Sequence, residues 1–548
     1  MNEDKPTMLQ RLLNMDELKS ATMDRRSFLR ATGKLAAVTF AMNLAGTLLE
    51  TPKVGAQGEA LFKSYPFTLG VASGDPLPHG VVLWTRLAPD PLNGGGMPHH
   101  DVPVKWEVAE DKNFRRVVRH GVEFARERLG HSVHVEVEGL EADHVYYYRF
   151  KAGNEYSPAG RTKTLPAHGS RTAGMVFAFA SCQNWQDGYF TAYKHMSQEK
   201  LDLVFHLGDY IYEGGISPKA RAHNSAEIIT LEDYRNRYAL YKSDADLRAA
   251  HEAFPWVVTM DDHEVENNYA GPIPEKDQPL EPFVARRAAA YQAYYEHMPL
   301  RRSSLPSGTE MQIYRRFAYG NLAEFHVLDT RQYRDDQANG DGSQEPNEAS
   351  NDPKRTLTGN KQERWLLEGL GRSRARWNVI AQQVFFAKRD FKQGDGELVS
   401  MDAWDGYPAN RERIVSYIRD RKVKNVVVLT GDVHANFANE IKADFEDANS
   451  PVIGVEFVGT SISSGGDGAD TAASTPAVLA ENPHIRFHNT QRGYVRCTLT
   501  RESFQADYMV LPYVSQPDAP VSTRVSFLVE EGKPGLKKIY DASSLVTS

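Results

Sequence analysis

The sequence predicts an α/β core preceded by a smaller β-rich domain, and three patterns carry that reading. Beyond Pro166 short apolar runs alternate with helical stretches, the pattern of strands and helices in layers. Over residues 65–165 apolar and polar residues alternate in short segments separated by Gly, Pro and Asp clusters, as in a small β-sandwich. Four apolar runs of the core end abruptly in Asp, Cys or His, where open α/β sheets place their ligands. With 548 residues, 41% of them hydrophobic and 25% charged, the chain is long enough for two or three globular domains. Its formal net charge of −8 argues against general nucleic-acid or membrane-surface binding, while a local basic patch could still grip a phosphate.

Taken in order, residues 1–56 read as a signal peptide. Asp24-Arg25-Arg26-Ser27-Phe28-Leu29-Arg30 is a twin-arginine signal, followed by a moderately apolar stretch over residues 35–49. A membrane span needs roughly 20 apolar residues, so this stretch is too short. It closes on Val54-Gly-Ala56, a small-residue cleavage pattern. Removal leaves 548 − 56 = 492 residues with no membrane span, exported by the twin-arginine machinery to the periplasm or beyond. Residues 57–166 form the sandwich, with strands at Val81-Val-Leu-Trp84-Thr, Val104-Lys-Trp106-Glu-Val, Val133-His-Val-Glu-Val137 and Val145-Tyr-Tyr-Tyr-Arg-Phe150. His131, His134 and His144 are expected there as exposed strand or turn residues. Residues 167–548 hold the core, with helices expected over 188–198, 231–240, 283–297, 360–369 and 410–419. The polar stretch 333–360 reads as a surface excursion. Residues 504–508 and 525–529 read as closing strands, before a tail that covers or frames the site.

The chemistry sits where strands stop. Leu203-Val-Phe-His-Leu-Gly-Asp209-Tyr-Ile-Tyr212 is an interior strand turned by Gly208 and ending on a carboxylate and a phenol. Phe177-Ala-Phe-Ala-Ser-Cys182-Gln-Asn184, Trp256-Val-Val-Thr-Met-Asp261-Asp262-His263 and Val426-Val-Val-Leu-Thr-Gly-Asp432-Val-His434 end alike. A single Gly-Asp at a strand end is as often an Asx-type turn cap. Four in one chain offer carboxylate, phenolate, thiolate and imidazole, an open metal-binding set in which Asp209 could bridge two ions. Bound ions suit phosphate ester hydrolysis, which needs charge neutralisation and an activated oxygen nucleophile. Only two cysteines exist. Thiolate ligation protects Cys182 from the alternative of a disulfide, and Cys497, inside Tyr494-Val-Arg-Cys-Thr-Leu, reads as a small apolar side chain.

These motifs resemble the bacterial alkaline phosphatase D family, a branch of the calcineurin-like metallophosphoesterases that includes phospholipase-D-like phosphodiesterases. The resemblance rests on Ala180-Ser-Cys182-Gln-Asn184, Gly208-Asp209-Tyr-Ile-Tyr212-Glu-Gly, Asp261-Asp262-His263-Glu-Val-Glu-Asn267-Asn268, Leu328-Asp-Thr-Arg331-Gln-Tyr-Arg334, Trp404-Asp405-Gly-Tyr407 and Gly431-Asp432-Val-His434. It implies a four-layer sandwich of two mixed sheets flanked by helices, behind a fibronectin-III-like β-sandwich. It also implies Fe³⁺ held by Cys182, Asp209, Tyr212 and His434, with Ca²⁺ sharing Asp209 and taking Asp432 together with Asp262 or the Asn267-Asn268 pair, Asn268 foremost. Where the superfamily has Asp-x-His, Gly-Asn-His-Glu and Gly-His-x-His, this chain has Ser-Cys-Gln, Asp-Asp-His-Glu and Gly-Asp-x-His. More oxygen and less nitrogen favours a hard second ion.

The expected activity is metal-dependent hydrolysis of phosphate esters by a monomer, with a metal-bound hydroxide attacking phosphorus in line. His263 is the candidate for protonating the leaving oxygen or bonding a non-bridging one, against the alternative that it only orients its neighbour. Asn184 is expected as a donor to phosphate or a partner behind the ligands. Arg331 is expected either to clamp a phosphate oxygen or to pair with Asp329 or Asp335. His206 reads as a satisfied core residue, and Trp404, Asp405 and Tyr407 as the pocket rim. The alternatives are a phospholipase-D-like phosphodiesterase on the same site, a serine-nucleophile phosphatase and a non-catalytic surface-binding protein.

Overall fold

A computed structural model describes residues 62–275 and 278–545. The twin-arginine signal and its cleavage pattern lie outside the described residues. Among those residues no helix is long and apolar enough to cross a membrane.

Two mixed sheets organise the molecule. In the larger, of ten strands, Gly174–Ala180, Leu203–His206 and Pro255–Val258 lie side by side and parallel, pairing Leu203 with Phe177 and Val204 with Trp256. Strands buried on both faces read as unbroken apolar runs, which is why these three were legible. The smaller sheet, of seven strands, has Val426–Thr430 at its centre, parallel to Trp377–Ala381 on one side and Val452–Val458 on the other.

One apolar core lies between the sheets, drawing Phe177, Phe205 and Val257 from the larger and Phe325, Val379 and Val427 from the smaller. The Phe177, Phe205 and Phe325 rings meet at centroid distances of 4.9–5.5 Å, each pair adding about 0.5–1.5 kcal/mol beyond area burial. A second core joins the far face of the ten-stranded sheet to helices that include Leu231–Lys242, Ala245–Ala253 and Leu280–His297. A third joins the far face of the seven-stranded sheet to helices Gly359–Arg372 and Pro408–Arg421. Helix Leu231–Lys242 starts at a capping box, in which the Thr230 hydroxyl accepts from the Asp233 N–H and the Asp233 carboxylate from the Thr230 N–H.

The front of the chain is divided. Strands Val102–Ala109, Val117–Ala125, Val145–Ala152, Glu155–Tyr156 and Gly160–Lys163 make a separate five-stranded sheet. Val71–Leu77, Gly80–Arg86 and Ser132–Glu138 instead extend the ten-stranded sheet, through parallel pairing of Ser73 with Pro255 and Gly74 with Trp256. Their inner faces share a core with the five-stranded sheet, including Val81, Val104, Val133 and Phe150.

That placement corrects the expectation for two histidines. His134 is buried rather than exposed, its ring stacked on Tyr295 at 4.3 Å and its Nε2 donating to the Tyr295 and Met298 carbonyls. His131 is buried too, with Nε2 3.0 Å from the His100 carbonyl. Strand Ser132–Glu138 lies inside a large sheet against helix Leu280–His297, a tertiary contact that strand alternation does not encode. Trp404, Asp405 and Tyr407 are also buried, not at a rim: both aromatics join the third core, and Asp405 pairs with Arg411 at 2.5 Å. His206 is in the core, and neither of its ring nitrogens has a hydrogen-bond partner.

Candidate metal centre

The carboxyl ends of four strands, three in one sheet and one in the other, converge on a single cluster. Cys182 follows Gly174–Ala180, Asp209 and Tyr212 follow Leu203–His206, Asp262 and His263 follow Pro255–Val258, and Asp432 and His434 follow Val426–Thr430. Gly208 makes the second of these turns possible. Its φ is +108°, and a Cβ there would overlap that of Asp261. Cys182, Asp209, Asn268, Asp432 and His434 all hold left-handed backbone, with φ between +50° and +62°.

Ligand atoms of Cys182, Asp209 and His434 lie within 4.8 Å of one another, and so do those of Asp209, Asp262 and His263. Asp209 belongs to both groups. The Tyr212 hydroxyl is 2.8 Å from Asp209 Oδ2 and 3.1 Å from His434 Nε2. Asp209 Oδ1 and Asp261 Oδ2 are buried with no hydrogen-bond partner, and Asp262 Oδ1 has only the Arg331 guanidinium, 3.7 Å away, a set of oxygens that a bound cation would satisfy.

The electrostatics agree with that reading. Burial, and after it the Asp209 carboxylate, pushes the Cys182 thiol and the Tyr212 phenol well above their ordinary values. Burial also pushes Asp432 up to about 7, with Asp402, Asp262 and Asp209 adding to the shift and Arg331 opposing it. Protein groups alone would therefore keep the thiol and phenol protonated and leave Asp432 only partly ionised near neutral pH, and strongly charged ions would release the protons. Cys182 and His434 on one side of Asp209 and Asp262 on the other give two donor sets that share one carboxylate, which fits a pair of metal ions.

Two cations of the protein border the cluster. His263 donates Nδ1–H to Glu213 Oε2 at 2.7 Å and packs on the Tyr212 ring at 4.1 Å. Burial works against its charged form, but Glu213, Asp262 and Asp209 outweigh it and hold its pKa well above the ordinary value. Arg331 is fully buried: Nε reaches Asp261 at 2.5 Å, Nη1 and Nη2 take Asp402 at 2.7 and 2.9 Å, and Nη2 stands 3.7 Å from Asp262 and 3.8 Å from Asp432. Its side-chain partners are Asp261 and Asp402, not Asp329 or Asp335. Asn184 accepts the Gln186 N–H on Oδ1 at 3.0 Å, and its own N–H donates to Ser464 Oγ at 3.0 Å.

Sequence reasoning missed the residues behind the ligands. Glu264 accepts the N–H groups of Asp209, Tyr210 and Asp261, tying two strand ends to one carboxylate. Glu213 orients His263 and accepts the Asn267 N–H at 2.8 Å. Ser464 Oγ lies 2.7 Å from the Tyr212 hydroxyl and 2.7 Å from the Cys182 carbonyl. Glu264 and Glu213 stand inside motifs already singled out; Ser464 and Asp402 reach the site through folding alone.

Strand ends from two facing sheets that gather acidic, thiol, phenol and imidazole groups around one shared carboxylate define an α/β protein with a cluster suited to holding metal ions. The PhoD-like phosphatase model matches residues 177–508, and the model of the PhoD-like phosphatase N-terminal domain matches residues 53–166. The chain belongs to the PhoD-like phosphatase family and is a phosphoric ester hydrolase. It is 60% identical over 536 residues to alkaline phosphatase D of Bacillus subtilis (strain 168), covering 96% of this chain and 91% of that protein. A solved structure of PhoD superposes with a TM-score of 0.87 at 63% identity, over 88% of this chain and 94% of that one.

Proposed function

We propose that this enzyme hydrolyses phosphoric esters at the Asp209 cluster with an Fe³⁺–Ca²⁺ pair. The carrying observation is that Asp209 belongs to both ligand groups. Cys182, Tyr212 and His434 with Asp209 suit iron, whose charge offsets the burial that otherwise keeps thiol and phenol protonated. Asp262, Asn268 and Asp432, oxygen donors, suit calcium. When bound, the ions neutralise phosphoryl charge and lower the pKa of water.

The chain's own groups orient and protonate. Glu213 holds Nδ1 of His263, leaving Nε2 to give its proton to the departing oxygen. The turned carboxamide of Asn184 offers Nδ2 to a phosphate oxygen. Arg331 acts through Asp261, Asp262 and Asp432 rather than on substrate, because burial and Asp402 commit its guanidinium. Turnover of monoesters and diesters shares every ligand, so a panel of both substrate types decides the preference between phosphatase and phospholipase-D-like diesterase.

The architecture supports a four-layer sandwich, helices outside two facing sheets, for a catalytic domain at 167–548, with a fibronectin-III-like front portion that lends three of its strands to the ten-stranded sheet. We further propose that the Arg25-Arg26 signal directs the folded monomer through the twin-arginine machinery to the periplasm or the exterior. Elemental analysis with a chelator titration tests the metal assignment. Iron should stay with the protein while calcium removal abolishes turnover reversibly; undiminished turnover in excess chelator would refute the calcium assignment. Tyr212→Phe should remove a visible phenolate-to-iron charge-transfer band, and a colourless, active wild type would refute the iron assignment.

A further inference from the structure

We infer that Asp341, on the polar excursion 333–360, is a positioning residue that sets the carboxamide of Asn268 for the second metal ion. The inference rests on the calcium reading above and adds a residue to it. Asn268 is gripped on three sides. Its N–H donates to Asp262 Oδ2 at 2.8 Å, its carbonyl accepts from Gln337 Nε2 at 2.7 Å, and its Nδ2 donates to Asp341 Oδ2 at 2.7 Å. Gln337 also donates to Asp402 Oδ1 at 2.7 Å, so the excursion is fastened to the carboxylate network behind Arg331.

The contact with Asp341 fixes which way the amide faces. A carboxylate only accepts, so the nitrogen of Asn268 must point at Asp341 and the oxygen away from it. An amide oxygen is what a calcium ion takes; the nitrogen is not a ligand. Asp341 therefore selects the competent rotamer of Asn268. The backbone around it is unusual as well. Asp341 has φ +69° and ψ −171°, a region occupied almost only by glycine, and it stands between Gly340 and Gly342 at φ +80° and +69°. Its second oxygen, Oδ1, is buried without a hydrogen-bond partner. An aspartate that stands where glycine would sit without strain, with one carboxylate oxygen on Asn268, contributes a carboxylate that glycine could not.

Calcium titrations by calorimetry on the full chain, stripped of calcium by chelation, test this with Asp341→Gly, Asp341→Asn, Asn268→Ala and the Asp341→Gly/Asn268→Ala pair. Asp341→Gly removes the carboxylate at a backbone conformation glycine takes freely, so the calcium-free melting temperature should hold or rise while calcium affinity falls about 10–100-fold. Asn268→Ala should weaken binding at least as much, and the double variant no more than Asn268→Ala alone, because Asp341 acts only through that amide. Asp341→Asn keeps an oxygen that accepts from Nδ2 and should recover part of the loss. Wild-type affinity in Asp341→Gly, or losses that add in the double variant, would overturn the inference while leaving the calcium reading intact. A wild type that binds no calcium would overturn both.

Discussion

Left-handed backbone at Cys182, Asp209, Asn268, Asp432 and His434 costs on the order of 1–2 kcal/mol for each such non-glycine residue. Aspartate and asparagine bear it best, and they hold three of the five places. The turns aim side chains from parallel strands into a shared space, which extended backbone would send to alternate faces. The strain itself is not written in the sequence, so the clustered side chains were legible as a list and their convergence only as an expectation. Arg331 shows the limit more sharply. Its motif suggested a phosphate clamp or a local ion pair, and the fold instead buries it among carboxylates distant in sequence. Replacing Arg331 by Met should cost about 3–5 kcal/mol, because Asp261 would lose its buried counter-charge and Asp402 would keep only Arg334 of its two. Urea denaturation of the metal-free variant reads that loss as a lower midpoint at unchanged slope. A midpoint equal to that of metal-free wild type would show that these carboxylates do not depend on Arg331 for their charge balance.

At the level of strands and helices, apolar runs identified the strands that end at the site, and amphipathic stretches identified helices such as Leu280–His297 and Pro408–Arg421 to within a few residues. Helix Ala245–Ala253 escaped because only two residues separate it from its predecessor, and only the Asp244 cap, accepting from the Asp246 and Leu247 N–H groups, marks the break. Strand Ser132–Glu138 was found, while its membership in the large sheet was not, since alternation fixes a face and never a neighbour. The turn after Leu203–His206 is the element most exposed to a single change. Gly208→Ala brings a Cβ onto Asp261 at φ +108°, and backbone strain with overpacking should cost about 2–4 kcal/mol together. Metal analysis should find substoichiometric iron and calcium in that variant even where its circular dichroism matches wild type. Full metal content would show that the turn yields more easily than its packing implies.

Across the whole molecule, the described residues from Phe62 onward cluster as one compact unit, and the front of the chain is stitched into the sheet whose strands lead to Cys182, Asp209 and Asp262. A chain begun at residue 167 would lose Val71–Leu77, Gly80–Arg86 and Ser132–Glu138 from that sheet and bare the edge of Pro255–Val258, the strand that leads to Asp262. Such a fragment should aggregate or fail to fold, whereas a separable front domain would leave it soluble with native circular dichroism. The far end is stitched in as well. Gly174–Ala180, which leads to Cys182, has Arg492–Thr500 as its antiparallel neighbour, with Cys497 facing Phe177. During synthesis the first ligand thus emerges more than 300 residues before the strand that must flank it. The Cys182 end of the site therefore cannot close until the chain has been made as far as residue 500, because a nascent polypeptide stopped short of that point lacks the strand that completes the sheet beside it.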